Sequence, residues 1–314
     1  MDRRRPLNIT SLQMARIKLF LALSRTPHGL LDLATPALAA VLWHGGLPPP
    51  GVTALGILTM FAGYTAVYAL NDVVDYRVDR EKLKAATGQA KAGYLDALLM
   101  RHPMAQGELS FGEGLLWTLA WAVVALLGAY HLNPVCAYIF LAGCLLETVY
   151  CLLLRVSHLR TLVSGLVKTL GGVAAVFAVD PHPSSWFLLL LILWLFCWEI
   201  GGQNIPADWH DVEEDRHLGA QTIVVRYGPD RAAALVLGTL ASSVVLSAVL
   251  VLVSPLKYSP VMVALAMAVG IFFLLLPALG LYRSKEPEQA AALFNRASYY
   301  PLAMLILTLI NLMA

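Results

Sequence analysis

Two short windows hold eight of the 20 acidic residues of the 314-residue chain. The first, NDVVDYRVDR at 71–80, carries three. The second, PADWHDVEED at 206–215, carries five. At about 100° per helical residue, Asn71, Asp72, Asp75 and Asp79 fall within a sector of roughly 100°, and Asp208, Asp211 and Asp215 within roughly 60°. Each set forms one acidic stripe if its backbone is helical, and Pro206 either starts a helical turn or kinks the second. Like charges four residues apart destabilise a helix, and beside lipid they cost more. One such carboxylate reads as a solvated helix end; two matched stripes read as a site. Clustered carboxylate oxygens suit a hard cation, and Mg²⁺ commonly binds one or two carboxylates together with substrate phosphates and water. Two opposed stripes suit two Mg²⁺ ions bridged by a diphosphate.

The elements that must carry these stripes are apolar. Hydrophobic residues make up 59% of the chain and charged residues 13%, and mean hydropathy is +0.69. Soluble domains carry about 25% charge, so a soluble enzyme is excluded. So is disorder, which needs low hydrophobicity and high net charge. A net charge of +2 argues against nucleic acid as a partner. Runs near the roughly 20 residues needed to cross a bilayer occur at 28–46, 51–70, 114–131, 134–154, 161–179, 185–205, 231–253, 260–281 and 298–313. In lipid such runs must be helices. The expected fold is an all-α polytopic bundle of nine spans, with long connections at 76–112 and 206–230. The connections near 47–50, 132–133, 180–184 and 254–259 contain one of the 22 Lys and Arg residues, Lys257. The positive-inside pattern then puts the N-terminus and both acid stripes on the cytoplasmic side. The basic N-terminus runs on into a long apolar segment, which reads as a membrane helix and not a cleaved leader; the lack of a transit peptide fits a bacterial or archaeal cell (inner) membrane. Cys136, Cys144, Cys151 and Cys197 sit in apolar runs and read as small buried hydrophobes.

These residues resemble a specific family. NDVVDYRVD (71–79) matches the N-D-x-x-D-x-x-x-D motif of the UbiA superfamily of intramembrane prenyltransferases, and DWHDVEED (208–215) its second motif, D-x-x-D-x-x-x-D. RHPMAQGELS (101–110), YCLLLRVSHLR (150–160) and RHLGAQTIVVRYG (216–228) resemble the family's intervening stretches, so the likeness covers nearly the whole chain as one domain, 1–314. Two departures stand out: a long stretch, EKLKAATGQAKAGYLDALLM, after the first motif, and Glu214 where glycine is common. The resemblance, which is to 4-hydroxybenzoate polyprenyltransferase-like members of the family, implies transfer of a prenyl chain from a prenyl diphosphate to an acceptor, usually an aromatic ring, in quinone or related lipid synthesis. It implies Mg²⁺ on Asn71, Asp75, Asp211 and Asp215, with Asp72, Asp79 and Asp208 as direct or water-mediated partners. Arg25, Tyr150, Arg155, Arg160 and Lys168 become diphosphate contacts. Asp72 or Asp79 is the expected base that takes the acceptor's proton.

Other readings stand beside this one. The acceptor is a non-aromatic polar lipid precursor, or the chain is a divalent-cation transporter. Transport carboxylates are expected near mid-membrane, and acids gathered at one face beside basic residues favour the enzyme. Among single residues, Glu147 and Glu199 interrupt apolar spans. Glu199 lies nine residues before Asp208 and faces away from that stripe in a regular helix, so it is left out of the metal site. Asn204 shares the Asp208 sector. The 81–100 segment reads as a lid over the site.

Overall fold

The computed structural model of the chain describes residues 9–85 and 99–313, and every regular element among them is helical. In chain order these are α1 (Ile9–Leu23), α2 (Thr26–Asp32), α3 (Ala34–His44), α4 (Pro50–Val74), α5 (Tyr76–Ala85), α6 (Phe111–Leu132), α7 (Pro134–Leu152) and α8 (Arg160–Val179). There follow α9 (Ser185–Trp198), a π-helical turn (Glu199–Asn204), α10 (Ile205–His210), α11 (Val212–Leu218), α12 (Ile223–Val253), α13 (Pro260–Gly270), a second π turn (Ile271–Leu275), α14 (Leu276–Ser284) and α15 (Pro287–Met313).

Among the described residues, eight helical stretches are long and apolar enough to cross a membrane. They correspond to the expected spans from 51–70 onward. The chain is an integral, multi-pass membrane protein. The remaining expected span, 28–46, differs: it is divided at Leu33 into α2 and α3. Pro36 has no N–H to return to the Asp32 carbonyl, and the break falls there. Two further boundaries move. The last helix begins at Pro287, well before 298. The seventh begins at Ile223 but is broken at Gly228, whose φ of +78° precedes Pro229.

The apolar core lies toward the C-terminal half, where α3, α9, α12, α14 and α15 enclose Trp194, Trp198, Leu240 and Tyr300. Large apolar side chains such as Leu116, Tyr138, Leu145, Trp186 and Leu252 point outward, as lipid-facing surfaces require. Close helix approach depends on small residues. A Cβ at Gly165 of α8 would meet the Phe196 ring of α9 at 2.6 Å, and one at Gly172 would meet Leu195 at 2.8 Å. Valine at Gly172 is expected to destabilise the fold by about 1–3 kcal/mol through overpacking. A lowered thermal midpoint in detergent checks this; an unchanged midpoint overturns it.

Candidate active site in the intramembrane cavity

A cavity of about 530 Å³ runs between α2, α3, α4, α7, α8, α10 and α15. Its far wall is apolar, with Pro48, Val52, Leu132, Ile139, Ala174 and Val179. Its other end gathers Asn71, Asp72, Asp75, Asp79, Asp208, Asp211 and Asp215. Both acid motifs therefore meet at one end of one cavity.

The two motifs are built alike. Asn71 and Asp72 occupy the last turn of α4, and Asp75 sits at the junction to α5 with φ −83° and ψ 3°. Asp208 lies in α10, and Asp211 sits at the junction to α11 with φ −99° and ψ 12°. Neither junction loses helical phase. The Asp75 amide donates to the Asn71 carbonyl at 2.9 Å and the Asp79 amide to that of Asp75 at 2.8 Å. The Asp215 amide likewise donates to the Asp211 carbonyl at 2.9 Å. The stripes thus survive two helix breaks.

Cations face most of this cluster. Arg25 donates to Asn71 Oδ1 (3.0 Å) and Asp72 Oδ1 (3.4 Å). His102 Nδ1 lies 3.0 Å from Asp79 and 3.4 Å from Asp72. Lys82 Nζ is 3.2 Å from Asp215, and Arg101 is 3.0 Å from Asp211. Arg160 donates to Asp208 Oδ1 at 3.0 Å, and its guanidinium lies 4.0 Å from the centre of the Tyr150 ring. Asn204 Nδ2 donates to the Tyr150 hydroxyl at 3.2 Å. Arg25 and His102 both take positive φ, 45° and 49°. That left-handed conformation costs a non-glycine residue roughly 1–2 kcal/mol, held here at the two residues that bracket Asp72.

Electrostatics follow from burial and crowding. Burial, then the neighbouring Asp79, push the Asp75 carboxyl up to about 6. Burial also raises Asp215, which Lys82 only partly offsets. Burial works against charge on His102, but Asp72 and Asp79 outweigh it and raise the imidazole to about 9. Lys82 is raised in the same way, against its burial, by Asp215, Asp211 and Asp79.

The donor set fits a hard divalent cation. It is all oxygen, and two of its atoms, Asp208 Oδ2 and the adjoining Asn204 Oδ1, are buried with no hydrogen-bond partner among the described residues. Asp72, Asp79 and His102 also lie close enough for one ion. In this structure His102 faces both acids as a counter-charge.

The remaining expected residues separate. Arg160, Arg25 and Tyr150 line the acidic end. Lys168 lines the cavity on α8, but its ammonium is 2.7 Å from Asp32 Oδ2. Arg155 is absent from the cavity wall and pairs with Glu81 at the surface. Lys82, Arg101 and His102 were not foreseen; the RHPMAQG stretch held two of them but read only as a family marker. Glu147 both lines the cavity and accepts from Asn71 Nδ2 at 2.7 Å. Glu199, expected to face away from Asp208, lines the same cavity, because the π turn from Glu199 to Asn204 rotates it. Most of the 81–100 segment, 86–98, lies outside the described residues, while its flanks Lys82 and Arg101 both touch acids of the second motif.

Comparison with known proteins places this arrangement. The model of the UbiA prenyltransferase family matches residues 33–305. A 4-hydroxybenzoate octaprenyltransferase of Tolumonas auensis is 28% identical over 221 residues, 68% of this chain and 71% of that protein. One of Vibrio cholerae is 27% identical over 207 residues, 64% of this chain and 66% of that protein. The solved structure of a UbiA homolog from Aeropyrum pernix K1 superposes with a TM-score of 0.70 at 21% identity, covering 90% of this chain and 97% of that one. A UbiA homolog from Archaeoglobus fulgidus bound to DMAPP and Mg²⁺ superposes with a TM-score of 0.67 at 18% identity, covering 94% and 99%.

Proposed function

The chain belongs to the UbiA prenyltransferase family, and on that premise we propose that it transfers a prenyl chain from a prenyl diphosphate to the electron-rich carbon of an aromatic acceptor. One observation carries this reading. Two acid motifs and their cations converge at one end of a cavity whose far wall is apolar, which matches a greasy tail with an anionic head. The curated relatives act by name on 4-hydroxybenzoate, and a structural neighbour binds DMAPP and Mg²⁺. We place Mg²⁺ on Asn71, Asp75, Asp211 and Asp215, with Asp72, Asp79 and Asp208 adjoining; when bound, it supplies a Lewis acid to the departing diphosphate.

The chain's own groups do the rest. Arg160 and Arg25 receive charge as the allylic C–O bond breaks and its electrons pass to the diphosphate, a task suited to guanidinium. Tyr150 holds the plane of Arg160. The apolar wall keeps water from the allylic cation. The acceptor carbon then bonds to the cation, and its ring proton leaves to a carboxylate of the first motif, Asp72 or Asp79. Lys168 acts at the diphosphate only by leaving Asp32, and Arg155 only by leaving Glu81; both stand behind Arg25 and Arg160 in this assignment. The positive-inside distribution supports a cell-membrane location with the acidic end toward the cytoplasm.

The test is transfer with purified protein in detergent. Radiolabelled geranyl, farnesyl and geranylgeranyl diphosphates are offered with hydroxybenzoate, dihydroxynaphthoate, homogentisate or a glycerol phosphate lipid precursor, with Mg²⁺ or EDTA. Prenylated aromatic product that disappears in EDTA is expected. Product only from the glycerol phosphate precursor replaces the aromatic acceptor with a polar lipid one. Neither product nor donor binding by folded protein overturns the prenyl-transfer reading.

A further inference from the structure

Along α9 a regular helix would place Glu199 about 180° from Asp208, nine residues on. The π turn from Glu199 to Asn204 absorbs one extra residue, which shifts the phase by about 100°. Glu199 therefore shares a wall with Gln203, Asn204 and Asp208. The wide turn is bought with Gly201 and Gly202: a Cβ at Gly201 would meet Thr239 Oγ1 at 2.3 Å, and one at Gly202 would meet Ala297 at 2.9 Å. Single π turns inside α-helices gather at functional sites. This one turns a carboxylate into the stretch of cavity lined by Tyr64, Tyr68, Ser164 and Lys168, roughly two helical turns from the acidic rim.

What that carboxylate meets is incomplete. Glu199 Oε1 accepts from Ser164 Oγ at 2.8 Å. Glu199 Oε2 is buried with no hydrogen-bond partner among the described residues, and so is the Tyr64 hydroxyl on the same cavity. Buried polar groups are nearly always satisfied, and a carboxylate accepts only. The neighbouring ammonium does not fill the gap: Lys168 is 2.7 Å from Asp32 Oδ2, the Tyr68 hydroxyl bonds that same carboxylate, and His28 lies 3.7 Å from its other oxygen. The open positions are thus one carboxylate oxygen and one phenol hydroxyl. A hydroxyl, which donates to the carboxyl oxygen and accepts from the phenol, fits both; a carboxylate has no proton to give Glu199.

We propose that Glu199 and Tyr64 form the acceptor subsite, and that the end of the acceptor entering it is an uncharged hydroxyl. The inference rests on the prenyl-transfer reading and goes beyond it by naming the acceptor's recognised group and the residue that receives it. Glu199 binds and positions the acceptor; it takes no part in holding the diphosphate.

Binding to purified protein in detergent with Mg²⁺ tests this. Farnesyl thiodiphosphate, a donor analogue that ionises slowly, is bound first. Three esters on one scaffold follow: methyl 4-hydroxybenzoate, methyl 4-methoxybenzoate and monomethyl terephthalate, which differ only in carrying a hydroxyl, an ether or a carboxylate. The hydroxyl ester is expected to bind at least about tenfold more tightly than either other, the scale of a hydrogen bond to a charged group. Glu199→Leu is expected to reduce that preference to within twofold, with the farnesyl thiodiphosphate Kd unchanged; the near-isosteric Glu199→Gln keeps part of it. An undiminished preference in Glu199→Leu, a carboxylate ester that binds most tightly, or no ester binding to protein that binds the thiodiphosphate overturns the subsite. Failure to bind the thiodiphosphate overturns prenyl transfer itself, a separate result.

Discussion

Alanine at Asp75 or at Asp211 abolishes Mg²⁺-dependent prenyl transfer, lowering kcat/KM by at least about 10³. Lewis-acid stabilisation is worth several kcal/mol, and each 1.36 kcal/mol is tenfold in rate. These two residues are singled out because both occupy the junction of their motif, with nearly the same backbone angles, and both line the acidic end of the cavity. Stability is expected to move the other way. Because burial and Asp79 raise the Asp75 carboxyl to about 6, its ionised form destabilises the fold. The sign follows from linkage: the folded state holds its proton more tightly than the unfolded chain does. The penalty sets in as pH rises above the ordinary carboxylate value and is complete above about 6. Asp75→Ala removes it, so without Mg²⁺ at pH 8 its thermal midpoint equals or exceeds that of the parent. Glu213→Ala is the control, since Glu213 is exposed and pairs only with Arg216 among the contacts described. Near-parent turnover in folded, correctly inserted Asp75→Ala or Asp211→Ala protein overturns the metal assignment; a collapse of the midpoint makes the loss structural.

The same junctions explain what was legible in the sequence. Acids at intervals of three and four at the ends of apolar runs keep their phase through a helix break, because the i→i+4 amide bonds continue across Asp75 and Asp211. Periodicity therefore read the stripes correctly although neither is one unbroken helix. It failed wherever the period changed. The π turn carries no signal beyond Gly201 and Gly202, and it brought Glu199, expected to face away from the Asp208 stripe, onto the same cavity wall as Asp208. Pro36 was visible, but hydropathy averages over a single missing amide, so 28–46 read as one span. Arg101 and His102 belong to an irregular segment in which spacing says nothing about direction, so the cations facing Asp72, Asp79 and Asp211 had to come from the structure. Basic residues near a predicted turn were equally ambiguous. Arg155 and Arg160 are five apart, yet one pairs with Glu81 at the surface and the other is buried against Asp208.

Arg160 carries the second large effect. It is 5% exposed, bonds Asp208 Oδ1, stacks over Tyr150, and keeps a buried Nε with no partner among the described residues. Leucine there removes the planar charge that receives the departing diphosphate, and kcat/KM is expected to fall about 10²–10³-fold, the scale for one preorganised electrostatic contact. It also strands Asp208, whose charge has lost its partner; breaking a buried pair in this way costs about 3–5 kcal/mol, so the thermal midpoint falls as well. A loss of activity alone would therefore be ambiguous. The second substitution resolves it when read against its own single variant: Asp208→Asn in the Arg160→Leu protein removes the stranded charge and recovers most of the midpoint, while kcat/KM stays about 10²-fold or more below that of Asp208→Asn alone, because Asp208 adjoins the metal and its loss lowers activity in both. Arg160→Lys separates charge from shape, because an ammonium lacks the fork and the flat face that meet diphosphate and Tyr150; it keeps the midpoint better than leucine but recovers only part of the rate. If the double variant regains its midpoint and matches Asp208→Asn alone in activity, Arg160 is a structural counter-ion to Asp208, and the diphosphate is held by Arg25 and the metal alone.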